Sequence, residues 1–365
     1  MITKKQMLIF SYYLSRVTFL GIGFSLIFDR AYQESWISAI LGTIIGIVIT
    51  FIFAYILNVK KERTIKEFLS ASKIKVPLKI LIFLFASYFL LQSFFAFIYF
   101  INSFFLMNTP PWYIILPAYI LLIYSTKKGI TNTGKVAESL FPFSIIIPLF
   151  ITIVLYKYAD INYLFPLFTV KAKNILATSI SFAVFSTAPY IFLLPLKSDG
   201  KKLIKMYIFN ALALLLVIIV TMSVLGRNIA DLYRFPEYMV LKRIKIYTFI
   251  EKIENLVSVI WIIDLYISMT LSANTIKEVI NKKINMIITC LVLTATYISS
   301  SFIIGKNYKM VLMLYYNTPK IYIGALVLIL IPMFIYSIKQ KKMVKSTLKC
   351  KSFALNTPDN YQKYQ

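Results

Sequence analysis

The sequence contains no histidine, and this absence excludes much of the chemistry that depends on it. Histidine is the commonest general base near neutral pH and the commonest protein ligand for metal ions. Cysteine is almost as scarce, since Cys290 lies within an apolar run and Cys350 in a basic C-terminal segment. Two such distant cysteines predict neither a disulfide framework nor a metal site.

Motifs of soluble enzymes are also missing from the sequence. It has no P-loop, no Rossmann glycine pattern, no nucleophile elbow and no HExxH zinc motif. No apolar segment carries the paired carboxylates that acid–base catalysis uses. An enzyme within the membrane would need a catalytic constellation that the sequence does not offer. We therefore expect a protein that is not an enzyme and has no cofactor and no metal.

Apolar residues, by contrast, are abundant. They make up 59% of the 365 residues, and the mean hydropathy is +0.77. Runs of about 20 apolar residues, long enough to cross a bilayer, recur along the chain. No signal peptide with a small-residue cleavage site is evident, so we expect the first span to remain in the protein. We predict an all-α integral membrane protein with ten spans, over residues 7–28, 36–57, 78–105, 110–125, 139–157, 175–196, 203–226, 253–275, 284–304 and 320–338.

The basic residues predict the orientation of the spans. The chain has 40 Lys and Arg against 14 Asp and Glu, and most of the basic ones lie between spans. With the N-terminus in the cytoplasm, the inner segments carry roughly twice as many of them as the outer segments, as the positive-inside rule requires. We therefore expect both termini to be cytoplasmic. Residues 1–338 would form one transmembrane domain, and residues 339–365 a basic tail attracted to anionic lipid.

Loop lengths indicate an internal repeat. The longest inner loop, near 58–77, joins spans two and three, and the longest outer loop, near 227–252, joins spans seven and eight. A shift of five spans with inversion of the membrane superimposes the two loops. This favours a 5+5 inverted repeat, with repeat one over about 7–157 and repeat two over about 175–338.

The first spans of the two proposed repeats, spans one and six, both contain helix breakers. Gly21 and Gly23 lie in the middle of span one, and Pro189 lies within span six among several hydroxyl side chains. Two interrupted helices at corresponding positions point to a ligand site near the bilayer midplane. The alternative is that the two glycines only allow a neighbouring helix to approach closely.

Two charged residues fall inside predicted spans. Arg16 lies in span one, where it either extends to the inner surface or faces a cavity below the glycines. Asp264 lies deep in span eight with no partner nearby in sequence. Charges inside a membrane are costly and often functional, so our hypothesis is that Arg16 and Asp264 face one cavity.

Seven short motifs are spread along the chain: Gly21-x-Gly23, Tyr32–Ile37, Leu41–Gly46, Asp160–Leu167, Ser181-Phe182, Lys252–Glu254 and Trp261-Ile262. Together they resemble the B-subunit family of bacterial spore germinant receptors, within the amino acid–polyamine–organocation superfamily. The similarity extends over almost the whole chain. Two positions depart from the family: residues 185–187 read Phe-Ser-Thr where a Gly-acid pair is common, and the basic residue midway along helix eight is missing near Asp264 and Ser268.

The resemblance implies a ten-helix fold of the leucine-transporter type in the spore inner membrane. It implies a small nutrient ligand, commonly an amino acid, and two partners: an A-type subunit and a lipoprotein C-type subunit. Binding would trigger germination without catalysis. No nucleic-acid partner is expected, since the positive charge follows the membrane topology.

The predicted ligand site combines the interrupted helices with neighbouring side chains. A ligand carboxylate would bind exposed amides at Gly21, Ile22 and Gly23, where a half-helix N-terminus favours anions. The alternative is a proton- or sodium-coupled amino-acid transporter with Asp264 as the coupling carboxylate, and a scaffold with an empty pocket is a third reading. The remaining predicted ligand residues are Thr18, Tyr99, Ser181, Ser186 and Thr187.

Overall fold

The computed structural model describes residues 2–19, 23–61, 63–70, 72–243, 253–280, 284–306 and 308–342. The described part of the chain is helical and contains no strand. The α-helices, numbered in chain order, are α1 (Lys4–Val17), α2 (Phe24–Ala31), α3 (Ser35–Lys60), α4 (Ile65–Phe68), α5 (Lys75–Phe104), α6 (Pro111–Lys128), α7 (Ile130–Leu155), α8 (Ala172–Thr187), α9 (Leu203–Leu232), α10 (Pro236–Met239), α11 (Ile253–Val279), α12 (Asn285–Lys306), α13 (Tyr308–Ala325) and α14 (331–342).

Eight helical stretches of the described chain are long and apolar enough to cross a membrane. The chain is therefore a multi-pass membrane protein. The first predicted span is not among the eight as one unit, because it is cut between α1 and α2, and α2 continues into α3. The fourth predicted span, α6, is also not among the eight. It is a helix of 18 residues that contains Pro117 and ends in two lysines. The eight stretches are Phe24–Lys60, Lys75–Phe104, Ile130–Tyr158, Ala172–Leu193, Leu203–Ala230, Glu254–Val279, Asn285–Ile303 and Met313–Lys342.

Several helix boundaries differ from those predicted. Helix α7 begins at Ile130 rather than at 139, because its first turns are polar and hydropathy detects only the apolar part. The tenth helix begins at Tyr308 rather than at 320, passes through a π turn over Leu326–Leu330, and continues to 342. Four residues assigned to the basic tail are therefore helical.

Burial separates central helices from peripheral ones. In the most apolar window of Ala172–Leu193, 78% of the residues are buried, and in that of Glu254–Val279, 67% are. The corresponding values are only 17% for Ile130–Tyr158 and 22% for Asn285–Ile303. Helix α1 belongs to the centre, since its apolar side chains are almost wholly buried against α7, α9 and α11. The predicted charges and hydroxyls on α1, α8 and α11 thus lie inside the protein, away from lipid.

Ion pairs identify the face of the bundle where the chain begins. Lys4 pairs with Asp199 at 2.9 Å, and Lys5 pairs with Glu138, near the start of α7, at 2.6 Å. We call this the N-terminal face. Helix α7 has 26 residues, a length of about 39 Å at 1.5 Å per residue, so it ends at the opposite face.

Helices α3 and α8 pack closely at Gly42. A Cβ on Gly42 would lie 2.7 Å from the backbone oxygen of Ser179 and 2.9 Å from Phe182. The space is closed on one side by backbone, which cannot rotate away as a side chain can. Glycine is therefore required there to bring α3 against the central helix α8.

We predict that Gly42→Val destabilises the protein by about 1–3 kcal/mol, the usual cost of overpacking. The matched control is Gly324→Val in α13, where a Cβ meets no atom within 4 Å. Both changes replace a helical glycine by the same residue, so the difference in thermal unfolding midpoint in detergent isolates the close approach. Equal midpoints would contradict the packing argument.

Candidate ligand site beside the interrupted first helix

Helix α1 ends at Val17 and α2 begins at Phe24, and the described residues Phe19 and Gly23 between them are π-helical. Gly23 precedes α2 directly, and a Cβ on Gly23 would overlap the carbonyl oxygen of Thr18. A residue larger than glycine would force this backbone apart. The predicted contributions of Gly21 and Ile22 lie outside the described residues.

The sixth span is also interrupted. Helix α8 ends at Thr187, and a 3-10 helix follows over Ala188–Leu193 with Pro189 in its first turn. Proline lacks the N–H that would continue the α-helical bonding pattern, which accounts for the change of helix type at this point. The described residues beside both changes of helix type are buried, away from lipid.

The three hydroxyls predicted to bind ligand from span six bond to their own helix. Ser181 donates to Ala177 O at 2.9 Å, Ser186 to Phe182 O at 2.9 Å, and Thr187 to Ala183 O at 2.7 Å. Ser186 is also 3.1 Å from the hydroxyl of Tyr207. In this conformation their protons are engaged, and only oxygen lone pairs remain for a ligand.

Arg16 and Asp264 lie together, with Arg16 Nη2 at 3.4 Å from Asp264 Oδ2. The Asp264 side chain is fully buried, and that of Arg16 is 11% exposed. Arg16 Nη1 donates to the hydroxyl of Tyr12 and, at 3.1 Å, to Ser144 O. Arg16 therefore does not extend to the surface but joins α1 to α7 and α11.

The carboxylate of Asp264 keeps acceptor capacity. Neither of its oxygens accepts a hydrogen bond from any described residue, and the hydroxyl of Ser268, one turn later, is also buried without a partner. Buried polar groups are normally satisfied, so such a pair of groups points to a ligand or water. The spacing of 264, 268, 271, 275 and 278 places these residues on one face of α11.

That face of α11 leads to a cavity of about 290 Å³ at the N-terminal face. Leu271, Thr275 and Glu278 of α11 line it, together with Lys197 after span six and Thr131 at the start of α7. Positive and negative side chains thus share its wall.

A second, much smaller cavity lies beside the break in the first span. Its volume is about 10 Å³, room for about one water molecule. Thr18 contributes to its wall, and the hydroxyl of Tyr322 donates to Gln92 Oε1 at 2.8 Å. The buried hydroxyl of Tyr315 has no hydrogen-bond partner among the described residues. The remaining lining residues are Val17, Phe89, Ser93, Ala96 and Leu265.

Of the residues in this wall, only Thr18 was predicted from the sequence. Tyr99 does not line the small cavity, and its ring packs on Phe235 with centroids 5.3 Å apart. Gln92 is a polar residue within an apolar run, a signal that could have singled it out. Tyr315 lies before residue 320, where the tenth span was expected to begin, so no inspection of the predicted span could have found it.

We predict a strong coupling between Arg16 and Asp264. Arg16→Gln or Asp264→Asn alone should each lower the free energy of unfolding by about 3–5 kcal/mol, because each leaves the charged side chain of the other residue buried and unpaired. The double variant should cost no more than either single one. Thermal unfolding in detergent measures all three, with Lys201→Gln at an exposed position as the control. Additive losses would contradict a direct pair.

Comparisons with known proteins identify the family of this chain. The family model described as spore germination protein, a spore permease family, matches residues 2–308. A protein of Bacillus subtilis (strain 168) named as a spore germination protein, YfkT, is 28% identical over 248 residues, which cover 65% of this chain and 67% of that protein. The match spans the interrupted helices, the Arg16–Asp264 pair and most of the helical core, and the chain belongs to the spore germination permease family.

Proposed function

We propose that this protein is the membrane subunit of a spore germinant receptor, which binds a small nutrient, an amino acid, at a pocket near the bilayer midplane. Its membership of the spore germination permease family supports a role in spore germination. Interrupted helices at spans one and six support a ten-span, leucine-transporter-type 5+5 repeat. Its place would be the spore inner membrane with both termini cytoplasmic, and its partners an A-type and a lipoprotein C-type subunit.

The observation that carries the proposal is the small polar cavity beside the first-span break. It joins a backbone interruption to an unpartnered hydroxyl, Tyr315, and to the side chains of Gln92 and Thr18. Ligand pockets usually measure roughly 300–1,000 Å³, far more than the volume found here. An amino acid therefore enters only when the helices move apart, and the ligand favours the arrangement in which they have done so. This movement would be the signal that the partner subunits receive.

The Arg16–Asp264 ion pair favours the receptor over the alternative function, a proton- or sodium-coupled transporter. A coupling carboxylate must exchange its proton or sodium ion in each cycle. Asp264 instead has the fixed positive charge of Arg16 at 3.4 Å, which neutralises the carboxylate and competes with any cation. The pair therefore favours a receptor, in which Arg16 and Asp264 hold α1 against α11.

The decisive measurement is binding of a labelled amino-acid mixture to the purified full chain in liposomes. We expect saturable binding to the wild-type chain and no accumulation under an inward proton or sodium gradient. Accumulation against such a gradient would make the protein a transporter. No saturable binding by the folded chain would contradict a pocket in this subunit.

The Tyr315→Phe variant should weaken that binding by about 3- to 10-fold, the worth of one hydrogen bond of roughly 0.5–1.5 kcal/mol. It should not lower the thermal unfolding midpoint, because the hydroxyl has no hydrogen-bond partner among the described residues. Gly23→Ala should also abolish binding, whereas Gly324→Ala, with open space around it, should not. Unchanged affinity in both Tyr315→Phe and Gly23→Ala would place the ligand elsewhere.

A further inference from the structure

The segment between α7 and α8, residues 156–171, lies at the face opposite the N-terminal face and is hydrogen-bonded to the rest of the chain at both ends. Buried Glu34 accepts hydrogen bonds through Oε1 from Thr169 N at 2.7 Å, Thr169 Oγ1 at 3.0 Å and Val170 N at 3.0 Å. Gln33 Nε2 donates to Pro166 O at 3.1 Å and to Thr169 Oγ1 at 2.7 Å. Charge-assisted bonds of this kind are stronger than neutral ones, so the segment is fixed to the start of α3.

The other end of the segment is fixed to α9. Asp160 N donates to Ser223 O at 2.7 Å, and the ring of Tyr163 lies against Gly226. Gly226 has a φ of 71°, and a Cβ there would lie 3.2 Å from the Tyr163 ring. Helix α9 is kinked at this glycine, and the kink provides the surface on which Tyr163 packs.

Between these anchors, Phe168 is both strained and exposed. Its φ is 63°, in the left-handed region that bulky residues avoid, and its side chain is 88% exposed. Such a conformation costs about 1–3 kcal/mol and persists only where the surroundings impose it. A glycine would relieve the cost, and burial of the ring within this chain does not offset it. The hydrogen bonds that Thr169 and Val170 donate to Glu34 hold the backbone in this conformation and leave the ring exposed.

The segment that carries Phe168 exposes further apolar side chains, and basic side chains are exposed in and next to it. Tyr156, Ile161 and Phe165 of the same segment are also exposed, by 80%, 69% and 55%. Lys157, Lys171 and Lys173 are exposed along the segment and just beyond it. Lipid is fluid and needs no fixed orientation of a ring, so a strained and preorganised aromatic group favours a partner with a defined shape.

We propose that residues 156–171 form a docking surface for a protein, with Phe168 inserting into an apolar pocket that has an acidic rim. The Lys and Arg distribution places this face outside the cytoplasm. The partner is then the extracytoplasmic lipoprotein C-type subunit, an assignment that rests on the proposed function. Aromatic anchors in pockets dominate the energetics of such interfaces, and the lysines would set orientation and rate of association.

The test is co-purification of the C-type subunit with the tagged full chain after co-expression of all three receptor subunits. Phe168→Gly removes the ring and relieves the backbone, so it should reduce the recovered C-type subunit at least tenfold while the thermal unfolding midpoint stays the same or rises. Phe168→Tyr keeps a ring and should retain the subunit. Phe143→Ala on α7, which removes a lipid-facing ring that is 57% exposed, is the matched control and should change nothing.

A second variant tests whether the exposed lysines of the segment contribute to docking. Lys157→Glu combined with Lys173→Glu should lower recovery of the C-type subunit, most strongly at low salt, because exposed charges are screened as ionic strength rises.

Full recovery with Phe168→Gly would overturn the docking surface and leave the apolar segment to lipid. If the wild-type chain itself recovers no C-type subunit, the proposed function fails at its partner assignment and this inference fails with it. The wild-type lane thus distinguishes the two failures.

Discussion

Charges within a bilayer must be paired inside the protein, and the Arg16–Asp264 pair shows how this requirement arranges the core. Arg16 is the penultimate residue of α1, and Asp264 lies on α11, the eighth predicted span. Their attraction brings α1 against α11 at the depth where α1 ends. Because breaking one partner of a buried pair is costly, the end of α1 cannot move without carrying α11 or opening the pair.

The cavity beside the break follows from the same arrangement. With the pair formed, the side chains of Thr18, Gln92, Tyr315 and Tyr322 converge and leave room for about one water molecule. The hydroxyls of α8 bond to their own helix. The protein is therefore closed at its centre, while a larger cavity remains at the N-terminal face. A closed centre with an unpartnered hydroxyl is suited to a receptor whose ligand must change the helix arrangement in order to bind.

At the face opposite the N-terminal face, a buried carboxylate fixes a loop instead of joining two helices. Glu34 is fully buried, yet it stabilises a segment whose apolar side chains are exposed. One carboxylate at the start of α3 organises three donors of Thr169 and Val170, and the backbone strain at Phe168 persists between this anchor and the one at α9. In the core, the Arg16–Asp264 pair joins two helices. In the loop, Glu34 fixes the backbone next to the exposed ring of Phe168.

The sequence by itself determined the class of protein and the places where helices break. Apolar runs report membrane helices because hydropathy is a local property, and Gly23 and Pro189 mark breaks because their backbone chemistry is intrinsic. It also identified Arg16 and Asp264 as candidate functional residues, since charged residues are conspicuous in apolar runs. Tertiary structure alone decided that the hydroxyls of Ser186 and Thr187 bond to their own helix, that Tyr315 lines the cavity, and that Phe168 is strained. Hydrogen-bond partners and burial depend on neighbours that are distant in sequence, which no local pattern records.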